Sequence, residues 1–312
     1  MKIVSLFSGA GGLDLGFKQA GHDIIWANDI DIDACETYRK NIGNHIVCAD
    51  IKEIDICSIP NCDIVIGGFP CQGFSLANMR RNIEDERNQL YKFFYSVIKE
   101  KQPLFFVAEN VKGILSLGNG DIIKQIEADF QEAGYITSVN LVNMADYGVP
   151  QTRQRVIILG QRKDISNEML IQLPEKTNSR RPVEDNLPQW ISIAEAIGRF
   201  PDPDKSNDYL NHIYSAYKVE YRNFTGHRQT YPHKPSPTIL ARGNGKGGVC
   251  AIPHYNGKRR LTIRESAAIQ TFPDDFEFVG AMNSCYRQIG NAVPVHFAFL
   301  LGTEFAKAGA NI

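Results

Sequence analysis

No run of about 18 apolar residues occurs in this 312-residue chain, so a helical membrane span is not expected. The start, Met-Lys-Ile-Val-Ser-Leu-Phe, gives way at once to Ser-Gly-Ala-Gly-Gly, too short an apolar stretch for a signal peptide. The seven cysteines (35, 48, 57, 62, 71, 250 and 285) form neither a CxxC pair nor a Cys/His cluster. A zinc site is therefore not expected, and the odd set suits reduced thiols in the cytoplasm. The chain also lacks internal repeats and low-complexity tracts, and the glycine turn after its first strand is not the GxGxxG dinucleotide fingerprint. What remains, at 43% hydrophobic and 22% charged residues, has the composition of a soluble globular protein with room for one large domain or two.

Net charge is nearly absent too, at -1, but that figure hides an asymmetry. Residues 1–150 hold 13 Lys/Arg against 20 Asp/Glu, and residues 151–312 hold 21 against 15. Within 205–264 there are 11 Lys/Arg and only 2 Asp/Glu, interleaved with seven Tyr/Phe and four of the seven His. A basic, aromatic-rich segment is the footprint of a polyanionic partner, although a solvated basic face has the same composition.

Strand and helix patterns alternate through the first 160 residues. Short apolar runs at 3–7, 24–27, 63–66, 104–108, 136–142 and 156–159 read as strands. Helical patterns occupy 12–20 and 32–41, and Leu90, Phe93, Phe94, Val97 and Ile98 line one face of another helix. Ile122, Ile123, Ile126 and Phe130 form a further helical stripe. The expected fold class is α/β: a doubly wound, mostly parallel sheet with ligands at the carboxyl ends of its strands. Residues 174–260, rich in Pro, Asn, Gly and Tyr, suggest a second, smaller, irregular domain, and helical pattern returns at 263–270 and 295–306.

Chemistry-bearing residues fall at the expected strand ends. The first strand runs into Phe7-Ser8-Gly9-Ala10-Gly11-Gly12, a turn that lets a ligand approach backbone and helix N-terminus closely. Asp29 and Asp50 follow the next two strands, where carboxylates can accept from ribose hydroxyls or an adenine amine, or merely cap a turn. Together these features point to a bound nucleoside. Gly67-Gly68-Phe69-Pro70-Cys71-Gln72-Gly73-Phe74-Ser75 places a thiol on the loop beyond a strand, either poised as a nucleophile or packed as a small hydrophobe. Glu109 ends another strand at the same edge and can act as a proton donor or as a cap. Arg153 and Arg155 stand at i, i+2, on one face of an entering strand, where they can hold a carbonyl oxygen or a phosphate.

These elements, with Glu109-Asn110-Val111, Gln151-Thr-Arg-Gln-Arg155 and Arg287-Gln-Ile-Gly-Asn-Ala-Val-Pro294, resemble DNA (cytosine-5)-methyltransferases of restriction-modification type in order and spacing. The match covers residues 3 to about 163 and 259 to 300, and the basic segment lies where that family keeps its target-recognition domain. The resemblance implies a catalytic domain of 1–165 plus 279–312 around a recognition domain of 166–278. It implies S-adenosylmethionine as cofactor, no metal, double-stranded DNA as partner and a monomer. A restriction endonuclease acting on the same site is an allowed companion.

The implied chemistry is attack of Cys71 on C6 of a flipped cytosine. Glu109 would serve N3, Arg153 would hold O2 and Arg155 would support it. By position, the cofactor would contact Phe7, Gly9, Ala10, Gly11, Asp29, Ile30, Asp50, Ile51, Pro70, Leu90, Asn291 and Val293. The family often has an aromatic residue where Ile30 stands, so apolar contact replaces stacking there. The polar stretch 79–87 resembles the family's mobile loop, with Arg87 expected on a phosphate; Arg242 and Lys246, in a Gly-rich stretch, are expected to read DNA. Methylation of tRNA cytosine, or a catalytically inactive DNA-binding relative, remain alternatives.

Overall fold

Strands covered by helices on both faces account for the long buried runs in the first 160 residues. The computed structural model describes residues 1–69, 89–166, 168–205, 208–215, 229–241, 252–310 and 312. In chain order these residues form β1 (Lys2–Leu6), α1 (Gly12–Gln19), β2 (Asp23–Asp29), α2 (Ile32–Asn41), β3 (Ile46–Cys48) and β4 (Ile64–Gly67). Next come α3 (Gln89–Lys101), β5 (Phe105–Val111), α4 (Asp121–Glu132), β6 (Tyr135–Asn143), β7 (Gln151–Thr152) and β8 (Gln154–Arg162). The remainder carries α5 (Pro182–Asp185), α6 (Ile193–Ile197), β9 (Ser236–Pro237), α7 (Ile263–Ile269), α8 (Met282–Asn291) and α9 (Val295–Gly309).

Seven strands make one sheet in the order β3-β2-β1-β4-β5-β8-β6. The pairs from β3 through β5 are parallel, and β8 runs antiparallel to both β5 and β6. Parallel neighbours need a crossover, which the helices supply; between β6 and β8 no long helix intervenes, so that pair closes antiparallel. Strand order reverses between β1 and β4, and at such a switch point a crevice opens beyond the carboxyl ends.

Side chains alternate across the sheet. Ile3, Ile64, Ile66, Phe105 and Val107 face Phe297, Leu301 and Phe305 of α9, whereas Val4, Val65, Phe106 and Ala108 face Phe94 of α3 and Phe130 of α4. Each fully buried Val, Ile, Leu or Phe side chain among them contributes about 1.5–3 kcal/mol. A third cluster joins Ala10, Ala27 and Tyr38 to Ile193, Ile197, Ile239, Ile263 and Phe272. The irregular stretch thus packs its apolar residues onto the β1–β3 side of the sheet.

Candidate active site

The turn after β1 requires unusual backbone. Phe7, Gly9 and Gly11 all have positive φ, at 57°, 55° and 86°. A Cβ at Gly11 would also stand 2.1 Å from Ile42 Cδ1, whereas one at Gly9 would meet nothing within 4 Å. The turn is therefore packed from below and open above Gly9. Asp29, at the end of β2, holds it: Oδ2 accepts from Gly9 N at 2.7 Å and Oδ1 from Asp31 N at 2.9 Å. Burial pushes the Asp29 carboxyl above its ordinary pKa, against the pull of these bonds.

Asn28 donates to the carbonyls of Val47 and Ala49, fixing the approach to Asp50. Asp50 caps the 3-10 turn Ile51–Glu53 through Lys52 N at 3.1 Å and pairs with Lys52 Nζ at 3.2 Å. Ile30 is 65% exposed beside these carboxylates, whereas Ile51 is buried in the core with Val4 and Leu6. Leu90 is half-buried, Asn291 exposed and Val293 buried. An open turn, two carboxylates and an exposed apolar side chain, with no cation placed to grip phosphate among the expected cofactor residues, fit an uncharged nucleoside end.

At the ends of β4 and β5 a second group forms. Register places Arg155 opposite Val111, so period-2 alternation brings Arg155 and Glu109 to the same face on a diagonal. Arg155 Nε lies 2.9 Å from Glu109 Oε1, and both side chains are largely buried. The N–H does not point at the oxygen, and Glu109 Oε1 accepts no hydrogen bond from any described residue. A buried carboxylate oxygen with spare capacity is what an incoming donor would satisfy. Gly68 leaves the room: a Cβ there would sit 3.1 Å from Glu109 Oε2. Next to it, Asn110 Nδ2 donates to Phe69 O at 2.9 Å, tying β5 to the chain just before Pro70 and Cys71. Pro70, Cys71, Arg87, Arg242 and Lys246 lie outside the described residues.

Arg153 departs from the expected arrangement. The chain bends between β7, which pairs with β9, and β8, which joins the main sheet, so the i, i+2 alternation does not run through Arg153. Its side chain is 1% exposed. Nη1 donates to Ile239 O at 3.0 Å, and Nη2 donates to Gly290 O at 3.0 Å and Ala292 O at 3.1 Å. Burial, then the nearby Arg155 cation, pushes its pKa down to about 9, so it stays charged at neutral pH. The two arginines expected side by side are separated: one faces Glu109, the other is spent on backbone carbonyls.

The sequence motifs do not mark Asn110, Gln151 or Gln270 as working residues, yet each is a buried polar side chain bonded to backbone. A polar residue inside an otherwise apolar run, as in Phe-Val-Ala-Glu-Asn-Val, is the signal that could have found Asn110. Among the described residues no group of three His, Cys, Asp or Glu could hold a metal, and no helix is long and apolar enough to cross a membrane.

Comparison with known proteins adds sequence and fold relationships. Residues 1–307 match the family model described as C-5 cytosine-specific DNA methylase. The Type II methyltransferase M.NgoFVII of Neisseria gonorrhoeae is 42% identical over 94% of this chain and 83% of its own length. M.FnuDI of Fusobacterium nucleatum, also a Type II methyltransferase, is 38% identical over 98% and 94%. In fold, the chain is similar to an E. coli prophage protein described as a DNA modification methyltransferase, with TM-score 0.75, 24% identity and 99% coverage of each chain. It is also similar to S. pombe Dnmt2 methyltransferase, with TM-score 0.73, 19% identity and coverage of 98% and 99%.

Proposed function

The chain belongs to the C-5 cytosine-specific DNA methylase family and is a DNA (cytosine-5-)-methyltransferase; from that premise we propose how its residues divide the work. It methylates C5 of a cytosine flipped out of a short duplex DNA sequence, through a covalent bond between Cys71 and C6. The role is the modification half of a restriction-modification pair, performed by a cytoplasmic monomer without metal. Residues 1–165 and 279–312 carry catalysis, and 166–278 carry target recognition, with Arg242 and Lys246 reading bases and Arg87 on a phosphate.

The observation that carries the reading is the Glu109–Arg155 pair at the sheet edge beside the chain leading to Cys71. C5 of cytosine is a weak nucleophile. Addition of the Cys71 thiolate to C6 makes C5 electron-rich, provided charge accumulating at N3 and O2 is stabilised. The buried Glu109 carboxyl serves N3 by holding a proton there. O2 passes to Arg155, which faces Glu109, because both Nη atoms of Arg153 are held by three backbone carbonyls. After the methyl group has been gained, loss of the C5 proton re-forms the C5–C6 double bond and expels Cys71 as thiolate. Extracting the base from the duplex costs a few kcal/mol, which contacts in the pocket offset.

S-adenosylmethionine, bound against Phe7–Gly11, Asp29, Ile30, Asp50, Pro70, Leu90, Asn291 and Val293, would supply an electrophilic methyl group. The open space above Gly9 and the partly exposed carboxylates support that placement. Ile51 has its side chain in the core and would contribute backbone alone.

Duplex DNA carrying 5-fluorocytosine tests the covalent step, because fluorine at C5 cannot leave as a proton does. Wild-type protein with S-adenosylmethionine is expected to form a denaturant-stable protein–DNA adduct, and Cys71→Ala none. An adduct retained by Cys71→Ala would refute the assignment. Offering tRNA in place of DNA distinguishes an RNA acceptor.

A further inference from the structure

Arg153, left over from the chemistry, sits in a buried polar cluster that joins three parts of the chain. We propose that Gln151, Arg153 and Gln270 are positioning residues. Together they set the backbone wall 290–293 on the cofactor side and the segment 239–241 on the DNA side. The cofactor half of this rests on the placement of the nucleoside against Gly9–Gly11 and Val293.

The physical need arises at the end of α8. A helix leaves its last carbonyls short of intrahelical donors; here Asn291 is exposed, but Ile289, Gly290 and Ala292 are buried and the end has no glycine cap. Gln270 Nε2 donates to Ile289 O at 2.7 Å and to Ala292 O at 3.0 Å. Arg153 Nη2 covers Gly290 O and Ala292 O, placing a cation at the negative end of the helix dipole. The same donors and acceptors reach the other segment. Ile239 O accepts from Arg153, and Ile239 N donates to Gln151 Oε1 at 2.7 Å. Gln151 Nε2 in turn donates to Gln270 Oε1 at 2.8 Å, closing the cluster. All three side chains are almost wholly buried, at 0 or 1% exposure.

Contacts continue outward on both sides. A Cβ at Gly290 would stand 2.3 Å from Ala241 N, so the backbone entering Arg242–Gly248 lies directly on α8. A Cβ at Gly12 would stand 2.4 Å from Val293 O, so the wall 292–293 lies directly on the start of α1 and its glycine turn. Buried polar networks have few alternative arrangements, because any unpaired group is costly. Loosening one bond of the cluster therefore moves both walls rather than one.

Arg153→Lys keeps the charge but cannot span three carbonyls. In variants whose circular dichroism and cooperative unfolding match the wild type, binding of S-adenosylhomocysteine and of sheared unmethylated genomic duplex DNA are measured separately. Arg153→Lys is expected to weaken both by tenfold or more. Gln270→Met, the second variant should the first not fold, is expected to weaken both S-adenosylhomocysteine and DNA at least fivefold. A purely structural role would lower the melting temperature and leave the affinities of folded protein within twofold; that result, or a change in one ligand alone for Arg153→Lys, overturns the joint. Wild-type protein that binds DNA but no S-adenosylhomocysteine would overturn the cofactor placement and this proposal together, a failure distinct from unchanged variant affinities.

Discussion

Arg155 and Glu109 face each other across neighbouring antiparallel strands, 2.9 Å apart from Nε to Oε1, without an aligned hydrogen bond between them. The pair is buried enough to be strong and open enough to receive a third group. Glu109→Gln should lower kcat by roughly 10²–10⁴, the range of a lost general acid. Arg155→Ala should lower it by about 10²–10³, as for a lost oxyanion donor. Because both act on one base, the double variant should lose much less than the product of the single losses. Single-turnover methylation rates check this; fully multiplicative losses would mean the residues act separately.

Asp14 gives a pH-dependent prediction. It is fully buried in α1, accepting from Ser5 Oγ and from Tyr38 OH, each at 2.9 Å. Desolvation raises its pKa from 3.8 to about 6, outweighing both hydrogen bonds. Native protein therefore keeps this proton at pH values where the unfolded chain has lost it, so stability falls as pH rises from about 4 to about 6. The full cost above that window is about 3 kcal/mol. Denaturant titrations should show the stability of Asp14→Asn relative to wild type increasing by about that amount between pH 4 and 7. A pH-independent difference would contradict the assignment.

A buried ion pair anchors the segment leading into α7. Arg259 donates to Glu265 through both Nη atoms, at 2.8 and 2.7 Å, and Glu265 also accepts from Thr262 N in a capping box. Glu265→Ala strands the Arg259 charge and should destabilise the fold by about 3–5 kcal/mol. Arg259→Met with Glu265→Leu should recover much of that loss, which urea denaturation will measure.

Gly16 sits where α1 crosses α9. A Cβ there would meet Phe299 N at 2.5 Å and Val295 O at 2.6 Å, backbone atoms that cannot swing aside. Gly16→Ala should destabilise the protein by about 1–3 kcal/mol through overpacking, despite alanine's better helix propensity. A thermal melt in which Gly16→Ala gains stability would show that the helices separate readily.

Continuous apolar runs are enough to find the sheet, because strands buried on both faces carry apolar residues at successive positions, as at Phe105–Ala108. Strand-end position was enough to bring Glu109, Asp29 and Asp50 to one edge. Two local matters were not legible. The spacing of Arg153 and Arg155 implies one face only if the strand is continuous, and the crossing from β7 to β8 is set by pairing with β9, far along the chain. Ile51 follows Asp50 like a rim residue, yet the capped 3-10 turn rotates it inward onto Val4 and Leu6. Asp14 likewise reads as an ordinary acid in a first helical turn, and only tertiary packing reveals its burial.

Nucleoside mass spectrometry tests the central claim most directly. Unmethylated genomic duplex DNA is incubated with the protein and S-adenosylmethionine carrying a deuterated methyl group, then digested to nucleosides. Deuteromethyl label on C5 of deoxycytidine, absent with Cys71→Ala, is the predicted result. Label on an exocyclic amine, or C5 label undiminished in Cys71→Ala, would contradict it.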